Sequence, residues 1–216
     1  MNKIIIFDWW GVILKEYPHH YCDQDAIKET IKKFNNGLTD DDTYSLYLDT
    51  LSDENDRIIS IFDDYENKYK WYERIKNKGN LNVSYEEFIN EFINNYKKID
   101  KYEEVVNYIY SLKDKVNVAL FSDLIFVCFE ALKKHIDLKV FSKVFLSYKE
   151  GYVKTNIEAF INVENKLNIK GENILFIDNN KINIENAKKR GWNTCLAFGY
   201  EIEKIKNSVD KFLDEK

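Results

Sequence analysis

The sequence predicts an α/β protein with a Rossmann-like core of parallel strands and an inserted all-helical segment. Three features of the 216-residue chain support this prediction. Short β-branched and aromatic runs recur along it, as in strands buried on both faces. Helical patterns separate these runs, which favours a parallel sheet covered by helices. One long interval, residues 16–99, contains no convincing strand.

Five runs are expected to form the sheet. The first, KIIIF, is followed directly by Asp8. In chain order, the five predicted strands are residues 3–7, 116–121, 144–146, 174–177 and 194–198. Apolar residues at helical spacing predict one helix before the second strand and another near the end of the sequence. These apolar positions are Val105, Val106, Ile109 and Leu112 in the former and Ile202, Ile205, Val209 and Phe212 in the latter.

The strand-free interval has the pattern of at least three amphipathic helices. Ser84-x-x-Glu87 is a capping box that opens the third of them. A crossover between parallel strands needs far fewer than about 80 residues, so an inserted helical cap is the better interpretation. We therefore predict a core domain of residues 1–15 and 100–216 and a helical cap domain of residues 16–99. The three helical stripes are Ile27, Ile31 and Phe34, then residues 58–72, then Phe88, Phe92 and Tyr96.

Composition excludes several classes of protein. The net charge is −5, from 32 basic and 37 acidic residues, and no basic stripe is present, so nucleic-acid binding is not expected. No apolar run approaches about 18 residues, so no membrane span is expected, and the first apolar run is too short for a signal peptide. The three cysteines are widely spaced and indicate reduced thiols. We expect a cytoplasmic protein that is a monomer or a weak homodimer.

Polar residues follow the predicted strands where the sheet would bind a ligand. In an open parallel sheet, ligands bind beyond the carboxyl ends of the strands. An aspartate at such a place is usually a turn residue, and a single lysine is usually a solvated charge. Two carboxylates, a hydroxyl and an ammonium at one edge instead predict a reaction site. These four groups belong to Asp8, Asp178, Ser122 and Lys154. The neighbouring candidates at the same edge are Trp10, Gly11, Asp123 and Asn179.

These residues and their neighbours resemble the four motifs of the haloacid dehalogenase (HAD) superfamily of Asp-nucleophile hydrolases, over nearly the whole chain. IIIFDWWGVI is similar to the first motif, VALFSD to the second and FLSYKEGYVKTNIEAF to the third. ENILFIDNNKINIENAKKRGW is similar to the fourth and is the most specific match. YERIKNKGNL followed by SYEEF resembles the cap of glucose-1-phosphatase-like and epoxide-hydrolase-N-terminal-like members.

The resemblance implies an HAD-like fold and a Mg²⁺-dependent phosphatase acting on a small phosphorylated metabolite. Asp8 is implied as the nucleophile that forms an aspartyl-phosphate, with Ser122 and Lys154 as the other catalytic residues. The implied substrate-binding residues are Trp10, Gly11, Ser122, Asp123 and Lys154. The implied magnesium ligands are Asp8, the backbone carbonyl of Trp10, Asp178 and Asn179.

Three positions depart from the family pattern. Trp10 stands where phosphatases usually carry an aspartate that acts as general acid and base, a role worth about 10²–10⁴ in rate. Asn179 replaces the second aspartate of the fourth motif and removes one negative charge. Thr155 replaces the usual proline after Lys154, and we expect it to cap the following helix.

Two alternatives remain open at this point. An aromatic residue at position 10 also resembles the 2-haloacid dehalogenases, which use no metal and whose halide leaves without a proton. Asp178 argues against that chemistry, because a second carboxylate facing Asp8 without a cation is repulsive. The other alternative is a catalytically degenerate protein that binds phosphate or a partner, which Trp10 and Asn179 favour and the intact Asp8, Ser122, Lys154 and Asp178 oppose.

Overall fold

A five-stranded parallel sheet forms the centre of the structure, a computed structural model that describes residues 3–16, 20–50, 68–124 and 126–215. The strand order is β3-β2-β1-β4-β5, and every neighbouring pair is parallel. The α/β fold class is thereby confirmed. The strands are β1 (Ile4–Phe7), β2 (Asn117–Ser122), β3 (Lys143–Leu146), β4 (Ile174–Asp178) and β5 (Asn193–Leu196).

All five predicted strands are present, with small differences at their ends. The largest difference is at β5, which ends at Leu196 and not at Phe198. Beyond it the Ala197 N–H donates to the Asp178 carbonyl, and the Gly199 N–H donates to the Gly11 carbonyl. The chain leaves the sheet there because it is held against the loop that follows β1.

The sheet is buried on both faces, as its isoleucine-rich first strand predicts. Ile4 and Ile6 belong to one apolar cluster, and Ile5 and Phe7 to a second one. This alternation follows from the two-residue period of a strand. Phe160 and Trp192 pack in the first cluster, with ring centroids 5.1 Å apart.

Helices follow the sheet strands as expected. Both predicted apolar stripes, before β2 and near the end of the sequence, are buried. The expectation for Thr155 is wrong: Asn156 is the N-cap of the helix that follows, with no side-chain capping bond. These helices are α5 (Glu103–Leu112), α6 (Phe126–Leu132), α7 (Ser147–Glu150), α8 (Ile157–Leu167), α9 (Lys181–Lys189) and α10 (Ile202–Asp214).

Between β1 and α5, the described residues form four further helices: α1 (Asp23–Phe34), α2 (Asp40–Thr50), α3 (Lys68–Gly79) and α4 (Tyr85–Tyr96). The Ser84–Glu87 capping box is confirmed by reciprocal hydrogen bonds. The first and third stripes face the apolar core, which is continuous with the Ile5–Phe7 side of the sheet. Most of the second stripe, residues 58–67, lies outside the described residues. The division into two domains stays a prediction.

All three cysteines are buried and none forms a disulfide, as predicted. Within the ranges that the structure describes, no helix is both long enough and apolar enough to cross a membrane.

Candidate active site

Asp8 lies at the carboxyl end of the central strand. Its backbone N–H continues the sheet by donating to the Ile177 carbonyl at 2.9 Å. The residue is only 4% exposed, and one side-chain oxygen, Oδ1, accepts the Trp9 N–H at 2.7 Å. The chain then turns, with the Gly11 N–H donating to the Leu14 carbonyl. Asp8 is thereby fixed in orientation beneath this turn.

Lys154 joins the two carboxylates of the candidate site. Its Nζ lies 2.5 Å from Asp8 Oδ1 and 2.8 Å from Asp178 Oδ2, and all three side chains are buried. Burial disfavours the charged lysine, but Asp178 and Asp8 outweigh it and raise the pKa of Lys154. Burial and the neighbouring Asp178 raise the pKa of Asp8, and Lys154 opposes that shift.

The loop that carries Lys154 is held on both sides. The Asp123 carboxylate accepts the Lys154 backbone N–H at 3.0 and 3.2 Å. Asn186 Nδ2 donates to the carbonyls of Lys154 and Thr155. Burial raises the pKa of Asp123, while Lys154 opposes the shift. The Asp123 carboxylate therefore holds the backbone of the loop that carries the lysine.

Asp178 is completely buried at the end of β4 and is fully bonded. Its Oδ1 accepts the Asn180 N–H at 2.7 Å, and its Oδ2 accepts Asn183 Nδ2 at 3.0 Å as well as the lysine. The other end of the Asn183 amide, Oδ1, is buried without a hydrogen-bond partner among the described residues. An unpaired buried acceptor is costly, so a donor from a ligand or a water would stabilise it.

A cleft of about 220 Å³ opens beside Asp8. Trp10 lines it and makes an edge contact with Tyr96 of α4, with ring centroids 5.8 Å apart. A helix of the predicted cap therefore reaches the mouth of the site. The lining residues are Asp8, Trp10, Glu16, Asp123, Lys154, Asn179, Asn180 and Asn183.

Glu16 is a member of the cleft that the sequence did not reveal. It accepts a hydrogen bond from Asn179 Nδ2 at 2.7 Å. Burial, followed by the charges of Asp178 and Asp23, raises the pKa of Glu16, and the bond from Asn179 opposes this. Glu16 follows a short irregular loop and belongs to no motif, so only its distance of eight residues from Asp8 offered a signal.

The structure brings most of the predicted residues together, but not all to the cleft wall. Ser122 and Asp178 are fully buried and do not line the cleft, and Gly11 lies beneath Asn179. Ser122 Oγ makes a long 3.4 Å bond to the Asp123 carbonyl. The individual catalytic and binding roles stay predictions.

The oxygen donors at the cleft fit Mg²⁺ in type. Among the described ranges, no three His, Cys, Asp or Glu side chains form a metal-holding group on their own. Mg²⁺, however, is usually bound by one or two carboxylates together with waters and substrate phosphate. Asp8 and Asp178 meet that requirement, and within the described residues only one ammonium balances them.

No protein-family model matches the chain. One curated relative, the enolase-phosphatase E1 of Lachancea thermotolerans, is 32% identical over 100 residues. That match covers 46% of this chain and 44% of the relative, so the chain spans less than half the length of the curated relative it matches.

Solved structures share the fold over almost the whole chain. A HAD family enzyme from Bacteroides thetaiotaomicron, in complex with magnesium and inorganic phosphate, matches with a TM-score of 0.67 at 18% identity, covering 90% of this chain and 93% of that one. A protein from Porphyromonas gingivalis described as a predicted HAD-like family hydrolase matches with a TM-score of 0.68 at 19% identity and full coverage of both chains.

An L-2-haloacid dehalogenase from Xanthobacter autotrophicus, with chloropropionic acid covalently bound, has a TM-score of 0.57 at 16% identity over 90% of this chain and 76% of that one. All three structures share the parallel-sheet architecture described above. The chain therefore has the α/β fold of these HAD-family structures, and its four motif-like segments lie at the ends of β1, β2 and β4 and before α8.

Proposed function

We propose that the protein is a Mg²⁺-dependent phosphatase that hydrolyses a small phosphorylated metabolite through an aspartyl-phosphate on Asp8. One observation carries the proposal: the Lys154 ammonium lies between the carboxylates of Asp8 and Asp178 at the wall of a small polar cleft. Such a charged, partly dehydrated site suits a phosphoryl group, since electrostatic stabilisation dominates phosphoryl transfer.

The chain's own residues divide the reaction into two steps. A carboxylate oxygen of Asp8 attacks phosphorus in line, and the bond from phosphorus to the leaving oxygen breaks. Lys154 balances the charge on the phosphoryl oxygens, and its position is set by Asp123. Water then attacks the phosphorus of the aspartyl-phosphate, which releases phosphate and regenerates the Asp8 carboxylate.

Magnesium would be held by the Asp8 and Asp178 carboxylates, the Trp10 carbonyl and the Asn179 amide oxygen. When bound, the ion supplies positive charge to the phosphoryl oxygens. The comparison with a HAD family enzyme in complex with magnesium and phosphate supports this cofactor.

Trp10 determines which substrates react well. An indole cannot transfer a proton at neutral pH, so the leaving oxygen departs without help from residue 10. Substrates with stable leaving anions, such as aryl and acyl phosphates, are therefore hydrolysed faster than sugar or alkyl phosphates. Tyr96 of α4 contacts Trp10, so the proposed cap of residues 16–99 contributes to the surface that meets the leaving group.

The dehalogenase alternative is favoured by one observation, the aromatic side chain of Trp10 at the cleft. It is opposed by the buried Asp178, whose charge lies beside the nucleophile and adds to the effect of burial in raising the pKa of Asp8. A metal-free site would keep that repulsion, balanced by Lys154 alone.

Turnover of an aryl phosphate and of a sugar phosphate, each with Mg²⁺ and with EDTA, tests the proposal. We expect phosphate release with Mg²⁺, faster from the aryl substrate, and none from the Asp8→Asn variant. Equal rates on both substrates would mean that another residue supplies the proton. Halide release from 2-chloropropionate in EDTA would instead identify a dehalogenase, and no turnover of any phosphate would favour the degenerate binding protein.

A further inference from the structure

Glu16 is a carboxylate of the cleft that the reaction described above does not use. Its Oε1 accepts the Asn179 Nδ2 proton at 2.7 Å. Within the described ranges, no cation lies at ion-pair distance from Glu16, and Lys154 is committed to Asp8 and Asp178. Partial burial of a carboxylate that bonds to an amide and to no cation costs free energy, and a bound cation would offset that cost.

We propose that Glu16 and Asn179 act as one unit of the magnesium site, in which Glu16 is the positioning residue. The carboxylate holds the amide nitrogen, so that the amide oxygen is the end left for the ion, and it supplies the negative charge that an amide lacks. This inference rests on the proposed function, because it assumes that Mg²⁺ binds beside Asp8.

Hydrogen-bond chemistry fixes the orientation of the amide. An ionised carboxylate is only an acceptor, so it binds the nitrogen of Asn179 and not the oxygen. The amide also lies against Gly11, where a Cβ would come within 2.3 Å of Asn179 Nδ2. With its nitrogen committed and one face packed on backbone, the amide has a single orientation toward the cleft. Substitution of a residue that hydrogen-bonds to a metal ligand typically lowers metal affinity by about 10–100-fold.

The negative charge of the cleft also favours a bound cation. The carboxylates of Asp8, Glu16 and Asp123 line the cleft, and Asp178 lies behind its wall against Lys154, the one cation that lines the cleft within the described residues. Glu16 raises this negative excess without contacting Lys154. Such an excess of negative charge favours a divalent cation as the ligand. Glu16 lies beside Asn179, on the side of the cleft where we expect that cation.

Mg²⁺ affinity of the whole chain, measured by calorimetry and by intrinsic tryptophan fluorescence, tests the inference without any substrate. We expect Glu16→Ala to weaken Mg²⁺ binding about 10-fold. Adding Asn179→Asp to that variant should restore the affinity to near the wild-type value, because the charge then sits directly at residue 179. Asn179→Asp alone should not tighten binding, since it places two carboxylates within hydrogen-bond distance of each other.

Asp100→Ala is the matched control. Asp100 pairs with Lys15, the residue next to Glu16, at 3.4 Å and does not contact Asn179. The Asp100→Ala substitution also removes one negative charge, that of the partner of Lys15, but leaves the hydrogen bond between Glu16 and Asn179 in place. It should leave the Mg²⁺ affinity within about twofold of the wild-type value. Melting curves in EDTA establish that each variant is folded. If Glu16→Ala does not fold, Glu16→Gln takes its place, because it keeps an acceptor oxygen and loses only the charge.

Unchanged Mg²⁺ affinity of the Glu16 variants, or failure of Asn179→Asp to restore it, overturns the inference. If the wild type hydrolyses phosphate esters and these variants bind Mg²⁺ normally, the proposed function stands and only the role of Glu16 is contradicted. A wild-type protein that binds no Mg²⁺ contradicts the inference whatever its turnover.

Discussion

The side-chain amide of Asn179 rests on the backbone of Gly11. A Cβ at Gly11 would lie 2.3 Å from Asn179 Nδ2 and 2.6 Å from its Cγ, and Gly11 has a φ of +72°. Both the contact and the backbone conformation require glycine at this position. The turn after β1 and the end of β4 are thus fitted to each other at the mouth of the cleft.

Gly11→Ala should therefore damage the site more than the fold. The strained φ costs about 1–2 kcal/mol, and the new methyl group must push the Asn179 amide away from Glu16. We expect a lower free energy of unfolding by denaturant titration, together with weaker Mg²⁺ binding. Gly151→Ala is a useful control, because Gly151 also has a positive φ, but among the described residues no atom lies within 4 Å of the place that its new methyl group would take. Equal Mg²⁺ affinity in both variants would contradict the fitted contact.

Asp123 should act on catalysis through Lys154. Asp123→Ala leaves the Lys154 N–H without its acceptor, and a hydrogen bond to a charged group contributes about 1.5–3 kcal/mol. We expect a clear fall in kcat and a smaller change in KM, because the ammonium is displaced from the phosphoryl oxygens. Asp123→Asn retains an acceptor oxygen and should recover most of the activity. Equal loss in the two variants would show that the charge, not the hydrogen bond, matters.

Trp10→Asp should introduce the proton donor that the site lacks. General acid catalysis typically contributes about 10²–10⁴ in rate, so turnover of an alkyl phosphate should rise relative to that of an aryl phosphate. Trp10→Ala removes the indole without adding an acid and serves as the control. If both variants change the ratio of the two rates equally, space at the cleft and not proton transfer limits the reaction.

His135 should make stability depend on pH. It lies in the turn after α6 between the rings of Trp9 and Tyr96, and burial lowers its pKa, with the nearby Lys101 charge acting in the same direction. The unfolded chain, where histidine titrates near about 6.5, therefore takes up the proton first as pH falls. The free energy of unfolding should drop below that pH, by at most about 1.4 kcal/mol per pH unit for this one group.

Denaturant titrations between pH 5 and pH 7.5 should show a shallower slope for His135→Gln than for wild type. His20, which is exposed, provides the control, since His20→Gln should keep the wild-type slope. An identical slope for wild type and His135→Gln would contradict the assignment.

The sheet and the positions of the motif residues could be predicted from sequence because each depends on local pattern. Asp8 follows β1 and Asp178 ends β4, both strands have clear apolar runs, and the carboxyl ends of parallel strands lie at one edge of the sheet. The Glu16–Asn179 bond joins residues 163 positions apart and depends on how an irregular loop folds. The N-cap at Asn156 differs from the predicted Thr155 by one residue, a distance that helix patterns do not resolve.

Asp8 is tested most directly as the nucleophile by the mass of the protein, quenched in acid during turnover of an aryl phosphate with Mg²⁺. We expect a fraction of the wild-type chain to carry one additional phosphoryl group, located on the peptide that contains Asp8. The Asp8→Asn variant should carry none. Phosphate release by the wild type with no adduct on that peptide, or with an adduct on another residue, would contradict the assignment of Asp8 as the nucleophile.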